Sequence, residues 1–581
     1  MKGNLTIRAG VALAMAVLGM QAQAGNGEVT LIHIGDIHGH LLARDNLRSD
    51  GSGRKEGGLA PLYTKIKQIR AKKKHTLLLN TGDTVQGSAE ALFTQGQALV
   101  EVLNLFKIDA YASGNWDFLY GTQRYLDLFA GARPRAPWNA LAANLYYMTK
   151  AEDPSTPYPD KAGQRVLPPY KIRQVGKVKV GLLGMTTQRG IAIVGQGVTK
   201  GFKFTDGKAE AAALVAHLRN VEKVDIVVML SELELARNIR LAESTPGIDV
   251  ILSADMHEET TKPIVTATGT VIIEEGQDGT QLGELALRVV DRKVAQWQWQ
   301  QHTIDSRIEP DRVIAAKVRA VRKPFVRGPA FVQAVNPING TKLMRPIDSV
   351  VGYTAIGLHR ANFSHEAMPA AIEGSSHDFI ADAFRAQAAT DVATMRGFRY
   401  GTQVPPGPIT LEHLYHFMPI GAAIAAAHTA SGQQLKDQIE KSTQGVFSPN
   451  PDEWIGGWMF GYSGVTFDFD VRAAPGARGS NIKINGAPLD PAARYSVAGY
   501  WYAEAPNTIN NCPNCTPDKV TPLRDAQGNL LDATEVVVNY LQGLPNQTVN
   551  PPLSRIKLVS PLPAPAFDFP EIQPLRGVTP Y

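Results

Sequence analysis

Cysteine is nearly missing from this chain: Cys512 and Cys515, in NNCPNCTP, are the only two among 581 residues. So few cysteines exclude a disulfide-built scaffold, and no second pair of ligands stands nearby to complete a zinc site. A thioredoxin-like setting for a redox pair is missing as well, so a small structural disulfide loop is the expectation. Beyond Gly25 no apolar run reaches the ~20 residues that a membrane-spanning helix needs. Nor does any basic run alternate with aromatics. The formal charge of +5 falls to +3 if the segment carrying Lys2 and Arg8 is removed. That is too little to argue for nucleic acid or a membrane surface as partner.

What is present begins with MKGNLTIRAGVALAMAVLGMQAQAG. Two cations precede an apolar stretch from Ala9 to about Met20, then Ala22-Gln23-Ala24. This is the pattern of a secretory signal, so residues 1–24 are expected to be cleaved and the protein exported to a bacterial periplasm. A length of 581 residues exceeds one ordinary core and predicts two domains.

Between Gly25 and Asp305, short apolar runs alternate with helix-like stretches at Leu59–Lys74, Gln97–Lys107 and Lys208–Lys223. Such alternation predicts α/β layers. The apolar runs end in polar residues: EVTLIHI in GDIHGH, TLLLN in TGDTVQG, IDAYA in SGNWD, VDIVVML in SELEL, and GIDVIL in SADMHEE. Ligands in α/β folds bind beyond the carboxyl ends of strands. These ends deliver Asp36, His38, Asp83, Asn115, Glu232, Asp255 and His257. Carboxylate, imidazole and amide side chains in that number suit two divalent cations, with Asp83 bridging them. Such a pair activates water and clamps an oxyanion substrate.

These motifs, LIHIGDIHGHL, EGGLAPLYTKIKQIR, LLLNTGDTVQGS, ASGNWDF and GIDVILSADMH, resemble the calcineurin-like metallophosphoesterase domain of the 5′-nucleotidase superfamily. Downstream, IADAFRAQAATDVATMRGFRYG, GPITLEHLYHFMP and YSVAGYW are similar to its C-terminal, substrate-binding domain. The resemblance implies an α/β architecture: a four-layer β-sandwich flanked by helices at 25–305, then a second α/β domain at 341–560. A basic connecting helix at 306–340 links them, and 561–581 forms a proline-rich tail. It also implies one metal on Asp36, His38, Asp83 and His257, and a second on Asp83, Asn115, Glu232 and Asp255.

The chain departs from the family's pattern in places. Trp116 and Asp117 follow Asn115 where the family has His-Glu, and that histidine stabilises the transition state of phosphoester hydrolysis. Glu232 and Asp255 stand where the family has histidines. The nucleobase-stacking segment reads Pro419-Ile420-Gly421-Ala422. One branch, the thiosulfohydrolase of the bacterial sulfur-oxidation (Sox) system, also has Trp in place of that His. It carries a Gly-Phe-Arg motif similar to Arg396–Gly401 and an Asn-Pro-Asp stretch similar to FSPNPDEWIGGW.

Chemistry connects the tryptophan with that branch. Cleaving a cysteine S-sulfonate expels a thiolate, whose conjugate acid has a pKa of ~8.5. A nucleoside alkoxide is a far worse leaving group and needs a proton donor. The resemblance therefore implies catalytic roles for Asn115, Trp116 and Arg399, and substrate binding by Arg396 and Arg399. Four carboxylates on two dications weaken electrophilic assistance unless those arginines restore it. Oxygen-rich ligation points to manganese, with magnesium or zinc as alternatives.

The leading expectation is an exported dinuclear hydrolase releasing sulfate from a protein-bound cysteine S-sulfonate, with a Sox sulfur-carrier protein as partner. The alternatives are a 5′-nucleotidase or nucleotide-sugar hydrolase acting on a small phosphorylated substrate, and a metal-binding homologue without catalysis.

Overall fold

The computed structural model describes residues 26–45, 54–257, 259–359, 372–395, 403–418, 424–448, 453, 459–501 and 521–561. The signal segment, Arg396, Arg399, Pro419–Ala422, most of the Asn-Pro-Asp stretch, both cysteines and the proline-rich tail lie outside the described residues.

Two sheets carry the first half. One has the order Lys293–Thr303, Gln281–Val290, Gly27–Gly35, Thr76–Gly82, Ala110–Ser113. Its last three strands are parallel. The other has the order Ile264–Val265, Val271–Ile273, Val250–Ser253, Ile226–Ser231, Val178–Met185, Tyr170–Val175, with four parallel strands at its centre.

The two-residue period of a strand explains how these sheets stack. Val29 and Leu31, Leu77 and Leu79, Val180 and Leu182, Val228 and Leu230 point inward and form one buried cluster between the sheets. Their alternates point outward: Ile32, Ile34 and Leu78 meet helix Leu59–Lys72, while Leu183, Val227 and Met229 meet helices Lys208–Asn220 and Leu235–Ser244. The result is helix, sheet, sheet, helix, the four layers expected. Because the central strands in each sheet run parallel, their carboxyl ends gather at one edge of the sandwich.

The expected helices end earlier than their sequence pattern. Gln97–Leu103 is α-helical, and a tighter 3-10 turn over Asn104–Phe106 completes it before Lys107 turns left-handed at φ 57°. Lys223 does the same beyond the helix Lys208–Asn220.

The connecting segment is helical only over Arg312–Arg322. The Asp311 carboxylate caps it by accepting from the N–H groups of Val313 and Ile314, both at 2.9 Å, and Pro324 follows its end. Beyond it, one five-stranded sheet has the order Gly461–Ser463, Val392–Met395, Arg494–Trp501, Ile424–Ser431, Thr521–Pro522. The helices Ser375–Ala388 and Leu411–Phe417 precede and follow its Val392–Met395 strand in the chain.

The halves are joined by more than a tether. One hydrophobic cluster runs from Ile32 through Ile314, Val318 and Phe325 to Leu411 and Leu414. At its rim the buried Arg322 guanidinium reaches Glu90 at 2.8 Å and Glu412 at 2.7 and 3.0 Å. Arg322→Met leaves these two carboxylates buried without their cation and should cost about 3–5 kcal/mol. A triple variant, Glu90→Gln/Arg322→Met/Glu412→Gln, should recover most of that loss. Thermal denaturation of both variants checks it.

Candidate functional site

The polar residues at the strand ends converge on one buried centre. Asp36 and His38 follow strand Gly27–Gly35, Asp83 follows Thr76–Gly82 and Asn115 follows Ala110–Ser113. From the facing sheet, Glu232 follows Ile226–Ser231, and Asp255 and His257 follow Val250–Ser253.

The loops are tight enough that several non-glycine residues adopt left-handed backbone: Asp36 at φ 41°, His38 at 46°, Asp255 at 86° and His257 at 59°. Each such residue costs of order 1–3 kcal/mol, which the surrounding structure must offset. Glycine is required at two positions. A Cβ on Gly82, at φ 95°, would overlap the Asp36 carboxylate, and one on Gly114 would overlap those of Asp83 and Glu232.

Ligand atoms of Asp36, His38 and His257 lie within 4.8 Å of one another, and so do those of Asp36, Asp83 and Glu232. The Nε2 atoms of His38 and His257 are 3.0 Å apart, and His38 Nε2 is 3.8 Å from Asp83 Oδ2. All these side chains are buried.

Burial, reinforced by neighbouring carboxylates, holds Asp36, Asp83 and Glu232 well above the usual carboxylate range. Among the described residues, both Glu232 carboxylate oxygens and Asn115 Oδ1 are buried with no hydrogen-bond partner. Orphaned oxygens and crowded like charges are what cations would satisfy. The donor set fits two divalent ions: one site of mixed nitrogen and oxygen, one of oxygen alone.

The supporting shell explains the rigidity of the centre. The His257 ring contacts Gln277 Oε1 through Nδ1 at 2.6 Å, a bond in which Nδ1 donates and Nε2 is left as ligand. Asp117 accepts from the N–H groups of Thr84 at 3.0 Å, Val85 at 2.9 Å and Gly114 at 3.0 Å, and from the Tyr111 hydroxyl. It thereby stitches the Asp83 loop to the Asn115 loop. Burial lifts its carboxyl to about 6. Trp116 opens a 3-10 turn, donates its backbone N–H to Asp83 Oδ1 at 2.6 Å, and is 7% exposed within the hydrophobic cluster.

Asp255 stands in neither of the ligand triads. Its Oδ2 is 3.0 Å from Nη2 of Arg189, and its Oδ1 accepts from Asn115 Nδ2 at 2.6 Å. Arg189 also pairs with Glu234, as does Arg237. Burial raises the Glu234 carboxyl to about 7.

Sequence reasoning brought seven of these residues to one centre and missed Arg189, Asp117 and Gln277. Arg189 had a signal of the same kind: TTQRG follows the apolar run VKVGLLGM, which is strand Val178–Met185. Asp117 stands in the motif around Asn115, but its backbone contacts, like the ring contact of Gln277, carry no signal of their own in the sequence.

Residues 29–259 match the calcineurin-like phosphoesterase family and residues 350–508 match the 5′-nucleotidase C-terminal domain, together more than half of the chain. Endonuclease YhcR of Bacillus subtilis is 23% identical over 91% of this chain and 41% of its own length. A snake venom 5′-nucleotidase from Crotalus adamanteus is 29% identical over 40% of this chain and 37% of its own. The chain thus spans less than half the length of these curated relatives. Among solved structures, the sulfate thiohydrolase SoxB of Thermus thermophilus superposes with a TM-score of 0.74 at 20% identity, covering 92% of this chain and 97% of that one. A 5′-nucleotidase precursor, also from Thermus thermophilus, superposes with a TM-score of 0.72 at 21% identity, covering 92% and 100%.

Proposed function

The chain belongs to the calcineurin-like phosphoesterases that carry a 5′-nucleotidase C-terminal domain, a family of metal-dependent hydrolases, and from that premise we propose an exported hydrolase for substrates with good leaving groups. The substrate class is a thiol S-sulfonate, a cysteine S-sulfonate on a sulfur-carrier protein, from which sulfate is released. The observation that carries this reading is Trp116. An indole with no titratable group follows Asn115, buried against the hydrophobic cluster with its backbone N–H on Asp83.

Bound divalent cations supply Lewis acidity and lower the pKa of a water. His38, His257, Asp36, Asp83, Glu232 and Asn115 would hold them, and the carboxylate-rich set favours manganese. Gln277 holds the His257 ring, and Asp117 keeps the two ligand loops in register. Trp116 donates no side-chain proton to an alkoxide, so the leaving group must depart as a stable anion. A thiolate does so and a nucleoside alkoxide does not.

The second reading, a 5′-nucleotidase, is favoured by the match at residues 350–508. Manganese-loaded protein assayed on a cysteine S-sulfonate peptide, a nitrophenyl phosphate and AMP separates the two. Cleavage of the S-sulfonate and the nitrophenyl ester at least ~100-fold faster than AMP is expected, the scale of one missing proton donor. Preference for AMP would favour the nucleotidase, and no turnover of any substrate would favour a non-catalytic homologue.

A further inference from the structure

The negative charge of Asp255 is engaged within the protein. Oδ2 lies 3.0 Å from Arg189 Nη2, Oδ1 accepts from Asn115 Nδ2 at 2.6 Å, and its own N–H donates to Asp36 Oδ2 at 3.0 Å. Arg189 comes from the loop after strand Val178–Met185 and Asp255 from the loop after Val250–Ser253. These two strands flank Ile226–Ser231, the strand that delivers Glu232. The ion pair therefore spans the strand end that carries Glu232. A side-chain amide carries its donor nitrogen and its acceptor oxygen on separate arms of one planar carbon, so the two face different partners. Once a carboxylate holds the Asn115 nitrogen, the oxygen points elsewhere, and Asn115 Oδ1 is indeed buried with no hydrogen-bond partner among the described residues.

We propose that Arg189 and Asp255 are a positioning pair: Arg189 keeps Asp255 out of direct metal ligation, and Asp255 aims the Asn115 carbonyl oxygen at the cation among Asp36, Asp83 and Glu232. The pair also settles the charge of the centre. Asp36, Asp83 and Glu232 set three negative charges against two dications, and Arg189 cancels the fourth carboxylate. One positive charge is left to attract an anionic substrate. Glu234, between Arg189 and Arg237, fixes the guanidinium from behind. The inference rests on the metal-dependent reading above and not on the identity of the substrate.

The test uses stripped full-length protein titrated with manganese by calorimetry, with bound metal counted by mass spectrometry. Asp255→Asn keeps the acceptor for Asn115 and should still bind two manganese ions per chain. The weaker affinity should fall by no more than about 10–100-fold, the usual effect of losing a group that orients a ligand. Loss of one ion per chain would make Asp255 a direct ligand and overturn the proposal. Arg189→Gln should bind manganese several-fold more tightly, because the freed carboxylate adds to the negative field; unchanged or weaker binding counts against it. Arg189→Lys, which keeps the charge, should restore wild-type affinity. Should Arg189→Gln not fold, Arg189→Gln/Asp255→Asn removes both charges at once. Its affinity should lie within a few-fold of Asp255→Asn, and a larger difference would mean that Arg189 acts on something other than Asp255. None of these readouts needs turnover, so a wrong substrate class leaves them unchanged.

Discussion

Asp83→Ala is expected to lose most of the bound metal. Asp83 is 1% exposed, shares a triad with Asp36 and Glu232, and brings Oδ2 to 3.8 Å from His38 Nε2 of the other triad, so its carboxylate borders both candidate sites. Removing it takes a ligand from the oxygen triad and a neighbouring carboxylate from the histidine triad. In the wild type, manganese at ~100 times its dissociation constant should stabilise the fold by about 2.7 kcal/mol for each site. The variant should show little of that shift, and elemental analysis should find it nearly metal-free. Equal metal content in the two proteins would remove the dinuclear reading.

The metal-free wild type should behave in an opposite way with pH. Burial raises the folded-state pKa values of Asp36, Asp83 and Glu232 above those of the unfolded chain, which lie near ~4. Groups shifted upward stabilise the fold fully below that value. Their contribution is lost as pH rises through the folded-state pKa. Chelated wild type should therefore become less stable from about pH 4 upward. Asp83→Asn, carrying one fewer buried charge, should lose less over the same range. Thermal melts in chelator across pH check the sign.

Trp116→His carries the second large expectation. An imidazole beside Asn115 introduces a proton donor, and one such group is typically worth ~10²–10⁴-fold. The gain should fall on AMP and other poor leaving groups and leave the S-sulfonate nearly unchanged, because a thiolate needs no proton to depart. Trp116 is 7% exposed and packed in the core cluster, so a smaller ring also costs stability. Trp116→Phe is the control, since it has the packing defect without the donor and should gain nothing. A gain of similar size on every substrate would show that the tryptophan merely obstructs the site.

The sequence by itself determined the strands and the residues at their ends. Val29 and Leu31 alternate with Ile32 and Ile34 because a strand's two faces differ in what they meet. Apolar runs that stop at Asp36, Asp83, Asn115, Glu232 and Asp255 marked the centre because ligands in α/β folds bind beyond the carboxyl ends of strands. These are local signals, legible within about ten residues. Tertiary structure alone decided which of those ends share a ligand sphere. The stacking of one sheet on the other brings Asp36 and Asp83 against Glu232, and His38 against His257. It also sets Asp255 against Arg189, which lies 66 residues earlier in the chain and reaches it from the next loop but one along the same sheet edge. Charge pairing depends on distance in space, and side chains so far apart in the chain acquire that distance only when the sheets close.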